Sequence, residues 1–77
     1  MSTDEQKLMQ DLKFQAIFDP DPLVKRGAVD ALASHGKKSV NLLQEVSNSA
    51  GIDNSLKIYI LSKITQLNIF SPPGKSD

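Results

Sequence analysis

Leu8, Met9, Leu12, Ala16 and Ile17 recur every three or four residues, while Gln10, Asp11, Lys13 and Gln15 fall mostly off the line they make. That period places apolar groups on one stripe of an α-helix. Phe14 and Phe18 widen the stripe. Thr3 and Gln6 stand at capping-box spacing, with Asp4 and Glu5 where a helix N-terminus favours negative charge. Asp19-Pro20-Asp21-Pro22 ends the run, because each proline disfavours helical geometry in the residue before it and has no N–H to donate.

The pattern restarts at once. Asp21 is placed as an N-cap and Pro22 as the first helical residue, where a missing N–H costs nothing. Val24, Ala28, Ala31 and Leu32 predict a buried stripe, Lys25, Arg26 and Asp30 a wet face, and Gly36 a left-handed stop. His35, beside that glycine, has a helix C-terminal capping role, which outweighs any catalytic reading. A third helix is expected from about Lys38 to Asn48, burying Val40, Leu43 and Val46 with Leu42 beside them, and closing at Asn48, Ser49 and Gly51. Asp53 or Asn54 caps a fourth, with Leu56, Ile60, Ile64 and Leu67 inside and Tyr59 on the shoulder. Its β-branched residues would suit a strand, but Lys57, Ser62, Lys63 and Gln66 fit a helical face better than an alternation. Residues 1–70 therefore read as one all-α domain. Residues 71–77, Ser-Pro-Pro-Gly-Lys-Ser-Asp, have almost nothing to bury and are expected to be disordered.

Comparing the chain with itself adds an internal repeat. "LMQDL" at 8–12 matches "LLQEV" at 42–46, and "DPLVKRGAVDAL" at 21–32 matches "DNSLKIYILSKI" at 53–64, at offsets of 34 and 32. Two matches in the same order, with an aspartate cap at the same place, predict two αα-hairpins. "DPDPLVKRGAVDALASHG", residues 19–36, resembles the lead-in and first helix of a HEAT-type repeat, the group compared with phycobilin-lyase HEAT-like repeats. The features that carry the likeness are Asp19-Pro20 in the turn, Val24 before basic Lys25, small Ala28, Ala31-Leu32 and Gly36. It is strongest over residues 19–48 and weaker over 53–68, where Ile60 and Lys63 stand at positions the family prefers small; Lys25 and Lys57 replace its preferred arginine. The resemblance implies a four-helix, right-handed stack of two αα-hairpins, a HEAT-like mini-solenoid. It also implies a binding or scaffold role without catalytic residues, with the first and third helices lining a concave face. Gln10, Asp11, Gln15, Asn41, Gln44, Glu45 and Asn48 are then the partner-contacting positions.

Composition narrows the classes further. A chain of 77 residues with no cysteine must hold itself together by packing alone. Residues 1–18 lack a basic segment followed by an unbroken apolar run, and no stretch approaches the roughly 20 apolar residues of a membrane span. The expectation is a cytoplasmic protein without membrane contact. Net charge is zero, yet residues 1–21 hold Asp4, Glu5, Asp11, Asp19 and Asp21 against Lys7 and Lys13, and the remainder is basic.

Catalysis finds no support. There is a single histidine, no cysteine nucleophile, no Gly-rich phosphate loop and no His-Glu-x-x-His, so neither an enzyme, a cofactor nor a metal is expected. Asp19 and Asp21 serve better as caps than as a cation pair. The main reading is a protein partner, with self-association as a second form of it. The alternative is nucleic acid, bound at phosphates by Lys25, Arg26, Lys37 and Lys38 near the two ends of the second helix. Against it stand the neutral charge and aromatics, Phe14, Phe18, Tyr59 and Phe70, set mostly at buried spacing.

Overall fold

A computed structural model describes residues 2–70, and the side chains of residues 4–69. Four α-helices follow in order: α1 (Ser2–Phe18), α2 (Pro22–Ala33), α3 (Val40–Ser47) and α4 (Asn54–Phe70), with a 3-10 turn at Gly36–Ser39 between α2 and α3. No strand occurs among the described residues, and the all-α expectation holds. The expected tail, residues 71–77, lies outside them, as does the side chain of Phe70.

The helix boundaries follow from local chemistry. α1 starts at Ser2, which puts Thr3 inside the first turn instead of before it; the Thr3 side chain lies outside the described residues. At the other end Asp19 takes over, its Oδ1 accepting from the Asp21 N–H at 2.9 Å. Asp21 is the N-cap of α2, its Oδ1 accepting from the Leu23 N–H at 2.9 Å, with Pro22 in the first turn. Asp53 caps α4 in the same way, accepting from the Leu56 N–H at 3.0 Å. Gly36 has φ of 80°, the left-handed backbone that side chains disfavour, and it turns the chain from α2 into the 3-10 turn. That turn occupies Lys38 and Ser39, so α3 begins at Val40, later than the expected Lys38.

Short connections make sequential helices neighbours. α1 packs chiefly on α2 and α3 on α4, while α1 also meets α3 and α2 meets α4. Between the pairs lie Val29, Leu32, Leu43, Val46 and Ile60, all fully buried, with Met9, Ala16, Ala28 and Ile64 closing the core. Of the positions matched in the internal repeat, Met9 and Leu43, Ala28 and Ile60, and Leu32 and Ile64 are buried pairs, whereas Leu8 and Leu42, and Lys25 and Lys57, differ in exposure. The helices they sit on are unequal, with 17 residues in α1 and 8 in α3. Two serines are buried as well, and each is satisfied locally: Ser39 Oγ donates to Gly36 O at 2.8 Å and Ser47 Oγ to Gln44 O at 2.9 Å.

Three expected stripe residues are not buried. Leu8 is 50% exposed, Phe14 53% and Phe18 71%. α1 is covered on one side only, by α2 and α3; Leu8 lies at the edge of that side, and Phe14 and Phe18 lie about half a turn from buried Met9, on the side left uncovered. Val24, Ala31 and Ile17 are half-buried, whereas Val29, absent from the expected stripe, is fully buried. Val29 is three residues before Leu32 and shares its buried side of α2.

Candidate functional site

The α2–α4 seam carries a groove of about 650 Å³. Both helices begin beside it. Pro20 and Pro22 bring in one wall through the fixed geometry of the acid-proline turn, and Leu23, Lys25 and Arg26 follow from the first turns of α2. Leu56, Ile58 and Tyr59 supply the opposite wall from the first turns of α4. Leu23 and Ile58 are 76% and 67% exposed, although each stands in a helix that buries other apolar groups. They form the rim, and Leu56 and Tyr59, half-buried, lie deeper.

One polar cluster closes the groove partway along. The Arg26 guanidinium lies over the Tyr59 ring, 4.3 Å from its centroid, and Lys63 Nζ approaches the same ring at 5.2 Å. The Tyr59 hydroxyl donates to Asp30 Oδ1, and Lys63 Nζ stands 3.6 Å from that oxygen. Two cations on one ring, with the phenol held by an aspartate, fix Tyr59 in place and join α2 to α4. Beyond this cluster a smaller depression of about 280 Å³ continues along the seam, with Ala33 and Leu67 in its lining. Lys25 is half-buried at the groove and has no ion-pair partner among the described residues.

The four basic residues of the nucleic-acid reading do not form one patch. Lys25 and Arg26 face the groove at the start of α2, while Lys37 and Lys38 lie past its other end, beyond Ala33, in the 3-10 turn. Lys38 is already engaged: its Nζ donates to Glu5 Oε1 at 2.9 Å, and His35 Nδ1 donates to Glu5 Oε2 at 2.9 Å. Hydrogen bonds from Lys38 and then His35 hold the Glu5 carboxyl below the ordinary glutamate value. His35 thus tethers the end of α2 to the start of α1, and its backbone N–H also donates to Leu32 O at 3.0 Å.

All seven positions proposed for a concave face are exposed. They do not all meet. Lys13 Nζ reaches Glu45 Oε1 at 2.8 Å and marks where α1 and α3 adjoin. Asn41, Glu45 and Asn48 follow one another at helical spacing on that side, with Gln44 flanking them and Gln10 near Lys13 on α1. Asp11 and Gln15 are each two residues from Lys13, about 200° around α1, and point away from α3.

The residues that the sequence reading left out are Leu23, Ile58 and Tyr59 as parts of a groove. Leu23 and Ile58 fall outside the stripes assigned to their helices, and an apolar residue off its stripe is the signal that was available. No helix among the described residues is long and apolar enough to cross a membrane. No protein-family model matches this chain, and no curated protein or solved structure matches it either.

Proposed function

We propose that this chain is a small, non-catalytic protein-interaction module, a HEAT-like pair of stacked hairpins that receives a partner's amphipathic helix in the groove between α2 and α4. The observation that carries the reading is the rim itself. Leu23 and Ile58 stand more than two-thirds exposed on either side of a groove of about 650 Å³, where their apolar surface does nothing for the fold. The partner's chemistry follows from the lining: apolar groups for the rim, and acidic groups for Lys25 and Arg26, the one acid in the lining, Asp53, being engaged by the Leu56 N–H as the cap of α4. The HEAT-like part of the reading rests on the sequence resemblance over residues 19–48 and on the internal repeat alone. The groove is a better candidate than the α1–α3 strip, where Glu45 is spoken for by Lys13. It is also a better candidate than a phosphate site, because the basic residues divide between two ends of α2.

The test is selection of a random helical peptide library on the immobilised chain, with the Leu23→Ser/Ile58→Ser double variant as the control surface. The expected outcome is enrichment of peptides carrying apolar residues three or four apart beside Asp or Glu, with binding at least tenfold weaker on the double variant. No enrichment, or equal binding to both proteins, removes the groove from the account.

A further inference from the structure

We propose that the groove's occupant is the first helix of a second copy of this chain, presenting Asp11, Phe14 and Phe18; this deepens the interaction-module reading and rests on it. Asp11, Phe14 and Phe18 are spaced three and four apart and so share one strip of α1. The strip faces away from the core. Phe14 and Phe18 are 53% and 71% exposed and their rings stack with centroids 6.1 Å apart, a preformed apolar ridge. Asp11 lies beside it, exposed and with no ion-pair partner among the described residues. The ridge therefore offers what the groove lacks: bulky apolar groups for Leu23 and Ile58, and a carboxylate for Lys25 and Arg26.

The match cannot be satisfied within one chain. α1 packs on α2 and α3, and Phe14 and Phe18 are exposed on the side of α1 opposite buried Met9, whereas the groove opens between α2 and α4. Ridge and groove are different patches on different faces, so a contact between copies is heterologous: each copy that donates its ridge leaves its own groove free. Assembly of this kind grows head to tail with concentration. Charge steers it in the same sense, since the acidic N-terminal segment, residues 1–21, meets Lys25 and Arg26 of the groove.

Sedimentation velocity of the full chain, from about ten micromolar to about one millimolar, reads this directly. The wild-type average mass is expected to rise above that of one chain as concentration increases, and to rise less at high salt. A ridge variant, Phe14→Ser/Phe18→Ser, and a groove variant, Leu23→Ser/Ile58→Ser, each stay at one chain's mass. Mixed, they pair at twice that mass, because one supplies an intact groove and the other an intact ridge. Asp11→Lys is expected to weaken association at least fivefold, and Lys25→Glu in the mixed partner to restore it. Circular dichroism and urea melting of each variant establish that it is folded. A wild type that stays at one chain's mass overturns the proposal, as does association that survives in either variant or a mixture that fails to pair. If the wild type does not associate while the peptide selection still enriches groove-dependent ligands, the second-copy inference falls and the interaction module stands. If the selection also fails, both fall.

Discussion

The inner helices, α2 and α3, and the outer helices, α1 and α4, use their apolar residues differently. In α3 every apolar side chain is at least half-buried, and in α2 only Leu23 is not. In α4, Ile60 and Ile64 are buried, yet Ile58, Leu61 and Ile69 stand 67%, 44% and 69% exposed on the other side. α1 repeats the arrangement with Met9 and Ala16 inside and Leu8, Phe14 and Phe18 outside. A helix that is apolar on two sides fits either a deeper layer or a surface that meets something else. In this chain all four helices supply the core, and the outer pair also carries apolar surface that the fold leaves uncovered.

That division has measurable consequences. Leu32→Ala and Leu43→Ala, each removing a fully buried side chain, are expected to cost about 2–5 kcal/mol in urea unfolding. For a chain of 77 residues that is a large share of a total stability of roughly 4–12 kcal/mol. Leu61→Ala, on the outward side of α4, is expected to change it by only about 0.5 kcal/mol, and an equal loss on both sides would erase the comparison. Smaller effects sharpen it at the joints. Asp21→Ala removes the carboxylate that accepts from the Leu23 N–H and should cost about 1 kcal/mol. Gly36→Ala should cost about the same, from backbone strain alone: a Cβ there meets open space, and the φ of 80° is the only obstacle. Gly36→Asn should recover part of that loss, since asparagine tolerates the left-handed region.

The smallest expected effect is pH-dependent. Glu5 is held below its ordinary value by Lys38 and then His35, so its ionised form is favoured by folding. A carboxylate depressed in this way stabilises the fold above the pKa of the unfolded chain, and that contribution is lost as pH falls through the lower, folded value. Urea midpoints measured across the acidic range should therefore fall less steeply in Glu5→Gln than in the wild type. Parallel profiles would mean that the tether between α1 and the end of α2 adds nothing.

The inner part of this picture was legible in the sequence and the outer part was not. Asp21 with Pro22 and Asp53 before α4 fixed two helix starts, because caps and proline act locally and need no tertiary partner. Leu32, Leu43, Val46, Ile60 and Ile64 were recognisable as core from period alone. Phe14 and Phe18 belong to a second apolar side of α1, about half a turn from buried Met9, so adding them to the core stripe joined two opposite sides of the helix. Leu23 and Ile58 escaped for a different reason: they lie off their helices' stripes, and only the packing of α2 on α4 brings them to the two rims of one groove. Likewise, nothing in their separation of 30 residues announced that Glu5 would hold His35.

The rim of the groove stands apart from what holds the chain together. The urea midpoint of Leu23→Ser/Ile58→Ser, at a protein concentration low enough to suppress association, measures this directly against that of Leu32→Ala. The rim variant is expected within about 0.5 kcal/mol of the wild type and the core variant lower by about 2 kcal/mol or more. A rim variant that loses as much as the core variant would contradict this, and would make Leu23 and Ile58 members of the core.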